Sequence, residues 1–290
     1  MSSAAPSTAF QKSRIPALLL SVVLLVVALS GCSSSRGAVT RQTIRVLTWN
    51  IHHAEGIDKK IDVDRIAQLI TEEKADIVAI QEVDRGIERT NKMDIITKLA
   101  DMTGMTYAFG KTIDFQGGDY GNAFLTRLPI FEERNFLYRK SPSGEQRGLL
   151  VLVLGAIGEE VVVANTHFES QGNDSVRIAS AKELKSILKG FSSRPLILCG
   201  DFNDIPTSPV VTQLKEEYLD AWEQAGTWEG YTFPSDAPGK RIDYVFTGKI
   251  KMSDSTSAVV HLRPLSARVV RSLASDHRPV LVELELTTER

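Results

Sequence analysis

Short runs of valine, isoleucine and leucine, each bordered by an acid, an amide or an imidazole, recur along most of this 290-residue chain. Runs of this length, bounded by turn residues, read as buried strands rather than helices. The polar borders are, in order, Trp49-Asn50, Gln81-Glu82-Val83, Asn165-Thr166-His167, Gly200-Asp201-Phe202-Asn203 and Ser275-Asp276-His277. Arg241-Ile242-Asp243-Tyr244-Val245 adds one more carboxylate. Sheets built from such strands carry an apolar interior and bring the polar tips to one edge.

Between the runs the period changes. Strands are expected over 43–49 and 76–81, separated by Val63, Ile66, Leu69 and Ile70 at helical spacing with Asp62 as N-cap. A second helix is expected over 93–102, stopped by Gly104. Strands follow over 122–126, 149–154 and 161–165, then a helix over 175–188 capped near Asp174. A strand over 196–199, a helix over 208–217 starting beside Pro209, and strands over 242–246, 267–270 and 280–285 complete the series. Helices interspersed with many strands in both halves predict an α/β fold of two packed sheets, each covered outside by helices.

The first residues read differently. Lys12 and Arg14 precede an apolar run over 17–29 that is short for a bilayer span, and Leu29-Ser30-Gly31-Cys32 follows it. This is the pattern of an export signal, and it resembles a bacterial lipoprotein signal cut before an acylated Cys32. The expected organisation is therefore a signal over 1–32, a tether over 33–42 and one domain over 43–290. Such a chain sits in the cell envelope, lipid-anchored on the extracytoplasmic side of a bacterial membrane. Removing residues 1–32 takes away Lys12 and Arg14 and no acid, moving the formal charge from −2 to −4. A mildly acidic body argues against broad, sequence-independent nucleic-acid binding. Cys199, within Pro195-Leu196-Ile197-Leu198-Cys199, reads as a small buried hydrophobe.

The borders carry the chemistry. Asn50 and Glu82 end neighbouring strands and offer amide and carboxylate oxygens, which suit Mg²⁺, Mn²⁺ or Ca²⁺ better than zinc. Asp201 emerges from an apolar strand where a carboxylate can orient and deprotonate water, and Asn203 can donate to charge developing on phosphoryl oxygens. His167 and His277 lie at strand boundaries, each able to donate to a phosphate oxygen, and Asp243 can hold the His277 ring by its second nitrogen. A single turn Asn, solvated Glu or Asx turn is the ordinary reading of each motif alone, and His261 keeps that structural reading. His52 and His53 follow Asn50 closely enough to line a cleft.

Taken together and in this order, the motifs resemble the endonuclease/exonuclease/phosphatase superfamily across Ile44 to Leu286. The resemblance implies a four-layer α/β/β/α sandwich with its site at one edge. It implies that Asn50, Glu82 and Asp276 serve a metal (Mg²⁺, with Mn²⁺ as the alternative). It assigns Asp201 to water, Asn203 to phosphate and Asp243 to pairing with the catalytic His277, with His167 as a further catalytic histidine. Asn122 and Arg147 are candidate substrate contacts.

The expected function is metal-dependent hydrolysis of a phosphoester, a phosphodiester first, by in-line attack of water at a membrane-anchored enzyme. Expected partners are the phosphoester substrate and the membrane; no protein partner is evident. Nucleic acid, a lipid headgroup and a small soluble phosphoester compete as substrates. Arg263, Arg268, Arg271 and Arg278 form the one basic cluster, either a phosphate-tracking surface or a solvated face. Two other classes are a nuclease for extracytoplasmic nucleic acid and a binding lipoprotein that lost catalysis. The second is disfavoured by the intact His and Glu, and a purely structural envelope role leaves the polar borders unexplained.

Overall fold

Alternating apolar residues build two six-stranded sheets that stack face to face. A computed structural model describes residues 39–141, 144–171, 174–249 and 259–289. The expected signal over 1–32, with Cys32, lies outside the described residues. The first sheet contains β1 (Val39–Asn50), β2 (Ile77–Arg85), β3 (Thr106–Phe115), β4 (Gly118–Thr126), β11 (Val259–Val269) and β12 (Val280–Glu289). The second contains β5 (Ile130–Leu137), β6 (Gly148–Ala156), β7 (Glu159–His167), β8 (Leu196–Asp201), β9 (Tyr218–Asp220) and β10 (Asp243–Gly248). Their orders are β11-β12-β1-β2-β4-β3 and β5-β6-β7-β8-β10-β9.

Both sheets follow one plan. Each has a central parallel pair, β1 with β2 and β7 with β8, and every other neighbour is antiparallel. A parallel pair needs a crossover. α1 (Val63–Glu72) supplies it in the first sheet and α3 (Asp174–Lys189) in the second. Within each sheet the two parallel strands therefore end at the same edge.

Side-chain alternation divides the core into three layers. Ile44, Val46, Ile77, Ala79, Val161, Val163, Ile197, Cys199 and Val245 pack between the sheets. The alternate residues Leu47, Trp49, Val78 and Ile80 pack outward against α1 and α2 (Ile95–Thr103). Val162, Ala164, Leu198 and Phe246 pack outward against α3 and α4 (Pro209–Lys215). This is the expected four-layer sandwich. Helix ends follow local rules: Asp62 accepts from Asp64 N and Arg65 N, Gly104 closes α2 at φ 65°, and Ser208 caps α4 ahead of Pro209.

The start of β1 differs from expectation. β1 starts at Val39, because Val39 to Gln42 pair with β12 as Val39↔Glu289 through Gln42↔Leu286. The last four residues of the expected tether are thus strand, held by backbone hydrogen bonds that β12 offers along its full length. β3, β5, β9 and the short α5 (Ala221–Ala225) also lie outside the expected series.

Candidate active site

The inward rows of the central strands turn polar at one edge. Val46, Thr48 and Asn50 continue one row, and Ile197, Cys199 and Asp201 another. Val163, Asn165 and His167 form a third, while β10 runs the other way and places Asp243 opposite Asp201. Asp201 occupies the next core-facing position beyond the apolar layer, and Asn50 and His167 lie one step further out, beyond Thr48 and Asn165. Gln81 and Asn165 fasten the sheets beneath this edge: Gln81 Nε2 donates to Asn165 Oδ1 at 2.6 Å, and Asn165 Nδ2 donates to Ile80 O at 2.9 Å.

Glu82 breaks the row. It does not end β2 but sits within it, at a register shift between Ile80 and Val83, with φ at 60°. The extra residue returns Val83 to the helix-facing side and frees Glu82 from the ladder. Asn50 then bridges the sheets, its Nδ2 donating to Glu82 Oε1 and Asp201 Oδ2, each at 3.0 Å.

His277 lies just before β12, at the same edge. Its Nδ1 meets Asp243 Oδ2 at 2.9 Å and its Nε2 stands 3.6 Å from Asp201 Oδ2. Burial alone would discharge the ring, but Asp243 and Asp201 outweigh it and raise its pKa to about 10. His277 is therefore an imidazolium at neutral pH. Burial and the Asp243 charge push the Asp201 carboxyl up, against the opposing pull of His277 and the Asn50 amide.

His167 is the opposite case. Burial, with the Arg147 charge beside it, holds its pKa well below the ordinary imidazole value, so it is neutral. Arg147 Nη1 lies 3.1 Å from His167 Nδ1. A guanidinium has no acceptor, so Nδ1 accepts and the ring proton belongs on Nε2. That nitrogen lies 3.6 Å from Asp201 Oδ2, the acceptor near it, and 3.0 Å from Asn203 Nδ2, itself a donor whose proton goes to Phe168 O. Asn203 is held at φ 50°, with its backbone N–H on Asp201 Oδ1 at 2.9 Å.

The expected residues thus fall into groups. Asn50, Glu82, Asp201, Asn203, Asp243, His167 and His277 share one network. Asp276 adjoins it: the Ser275 hydroxyl donates to Asn50 O at 2.7 Å and lies 3.3 Å from Asp276 Oδ1. Arg147 is buried and ion-paired with Glu145 at 2.9 Å, so it positions His167. Asn122 is buried and donates across the sandwich to Gly148 O at 3.3 Å. The basic cluster behaves as a solvated face in part: Arg263 pairs with Glu285, and Arg268 with Glu73.

Other parts escaped the sequence. Trp49 Nε1 donates to His277 O at 3.0 Å, and Ser275 Oγ accepts from His277 N, fixing the loop that carries the imidazole. The turn His52–Ala54 holds all three residues at positive φ beside Asn50. Burial and the Arg89 charge lower the His53 pKa to about 4. His52 and His53 were read from the sequence as cleft lining; the positive-φ turn that holds them was not.

Three carboxylates, Asp243, Asp201 and Asp276, act on a single imidazolium, and Asn50 joins Glu82 to Asp201. Such an oxygen-rich, negatively charged rim fits a hard divalent ion, with Asn50, Glu82 and Asp276 as the residues that would hold it.

The family model described as Endonuclease/Exonuclease/phosphatase family matches residues 47–277. The uncharacterized protein YbhP of Escherichia coli strain K12 is 26% identical over 261 residues, covering 84% of this chain and 97% of that protein. An endonuclease/exonuclease/phosphatase family protein from Bacteroides thetaiotaomicron superposes with a TM-score of 0.70 at 20% identity, over 85% of this chain and 98% of that one. A mannosyl-6-phosphatase of Bacteroides thetaiotaomicron VPI-5482 superposes with a TM-score of 0.68 at 20% identity, over 83% of this chain and 99% of that one.

Proposed function

The chain belongs to the endonuclease/exonuclease/phosphatase family, and from that premise we propose that it hydrolyses a phosphoester with a divalent ion, Mg²⁺ by preference. The observation that carries this reading is the contiguous set Asp243–His277–Asp201–Asn50–Glu82, each link within 3.6 Å of the next. When bound, the ion supplies neutralisation of phosphoryl charge.

The chain's own groups do the rest. Asp201 orients water and takes its proton, since its raised pKa matches a base working near neutrality. The carboxylates around His277 raise its pKa and favour its protonated form, which suits it to donate. It donates from Nε2 to a phosphoryl oxygen, while Asp243 accepts from Nδ1, orients the ring and balances its charge. His167 donates from Nε2 as a neutral ring, and Asn203 adds an amide donor.

Charge supports a phosphodiester over a monoester. A monoester dianion needs spare cations, and the nearby arginines are committed: Arg147 to Glu145 at 2.9 Å, Arg89 to Asp84 at 2.7 Å. The test compares bis(p-nitrophenyl) phosphate with p-nitrophenyl phosphate at equal Mg²⁺. Faster turnover of the monoester overturns the diester assignment, and no Mg²⁺-dependent turnover of any phosphoester overturns the whole reading.

We also propose that the enzyme is exported and acylated at Cys32. The lipoprotein-like pattern over 1–32 supports this. Cys32→Ser should abolish incorporation of labelled fatty acid; continued labelling counts against it.

A further inference from the structure

We propose that His52, His53 and Glu82 form a second divalent-cation site, one that takes a borderline transition ion such as Zn²⁺, Mn²⁺ or Co²⁺. It goes beyond the phosphoesterase reading and shares one ligand with it, Glu82, while Asp276 stands beside both.

One ligand atom from each of the three residues lies within 4.8 Å of the others. Ligands around an ion with bonds of about 2.1 Å sit roughly 3–4 Å apart, so small side-chain rotations close the set. The two imidazoles meet edge to face with centroids 4.4 Å apart. Asn50 Nδ2 uses only Oε1 of Glu82, at 3.0 Å, which leaves the second carboxylate oxygen for a cation.

An independent observation points to a ligand. His53 is 7% exposed, yet its buried Nδ1 has no hydrogen-bond partner. A buried ring nitrogen without a partner costs stability unless something binds at the site. The other His-containing cluster, Asp201–Asp243–His277, lacks this feature at its imidazole, because His277 Nδ1 is engaged by Asp243 at 2.9 Å.

Donor chemistry sets the ion. Two imidazole nitrogens with one carboxylate favour borderline transition ions, whereas Mg²⁺ prefers oxygen. Glu55 and Asp276 stand close behind, 3.8 Å from His53 Nε2 and 3.9 Å from His52 Nδ1. Carboxylates so placed orient liganding histidines and add negative charge.

The test uses full-length protein stripped with EDTA and titrated with Co²⁺, followed by equilibrium dialysis and by hyperfine-shifted imidazole N–H resonances. With five histidines in the chain, assignment is tractable. Wild type should show shifted resonances from His52 and His53, retained in excess Mg²⁺. His52→Ala should weaken Co²⁺ binding by at least about tenfold, as should His53→Ala. Absence of shifted His52 and His53 signals in wild type overturns the proposal, as does an unchanged isotherm for His52→Ala. The wild-type spectrum and the His52 variant decide the matter even if His53→Ala fails to fold. His277→Ala separates the two readings: it should abolish Mg²⁺-dependent hydrolysis and keep the His52 and His53 signals.

Discussion

Replacing Asp243 with asparagine keeps the shape of the side chain and removes one charge 2.9 Å from His277 Nδ1. The His277 pKa rises from 6.5 to about 10, against a burial effect that acts the other way. At about 1.4 kcal/mol per pKa unit, that difference amounts to roughly 5 kcal/mol favouring the imidazolium, contributed chiefly by Asp243 and Asp201. Asp243 is the larger contributor, so Asp243→Asn should forfeit about half or more of it, and the His277 pKa should fall by about 2 units. The amide can also present its N–H₂ to Nδ1 and select the wrong tautomer. Turnover should fall by about 10²–10⁴-fold with little change in KM.

The assay is a histidine-labelled NMR titration of metal-free protein from acid to alkaline pH, beside kcat and KM on the diester. Stability gives a second readout. A pKa raised on folding contributes stability that is full below 6.5 and is lost as pH climbs through about 10. From about pH 8, where the variant's ring has titrated, to about pH 10 the parent should go on losing stability while the variant levels off. An unchanged His277 titration, or turnover within about twofold of the parent, refutes the reasoning.

Two further outcomes are expected. Glu82→Gln should lower metal-dependent hydrolysis by about 10²-fold or more, yet leave the metal-free melting temperature within about 2 °C or raised, since it relieves carboxylate crowding at Asn50; parallel loss of fold and activity would assign Glu82 to structure instead. Gly200→Ala should destabilise by about 2–4 kcal/mol in urea titrations, because φ is 152° and a Cβ would stand 2.1 Å from Thr166 O; a loss under about 1 kcal/mol contradicts the packing.

Most of the catalytic edge was legible because chemistry sits one or two inward steps beyond an apolar row. Asn50 follows Val46 and Thr48, and Asp201 follows Ile197 and Cys199, so a period of two written in the sequence predicts their shared side. Helix limits at Asp62 and Gly104 were legible for equally local reasons. β5 was not: as an edge strand it exposes Phe131, Glu133, Arg134 and Asn135, which erases the alternation. β3 was blurred by Gly110, whose missing side chain leaves room for Asn135 Oδ1 at 2.6 Å from where a Cβ would stand. The bulge at Glu82 could not be anticipated, since an extra residue in a ladder depends on the neighbouring strand, β4. Arg147 was legible as a site residue, whereas its burial, its Glu145 pairing and its contact with His167 are tertiary facts.

β1 runs 12 residues from Val39 to Asn50. At about 3.3 Å per residue its two ends lie some 36 Å apart. Val39 and the reaction centre at Asn50 therefore occupy opposite poles of the sheet. Whatever is joined to the chain ahead of Val39 enters the fold at the pole remote from the chemistry.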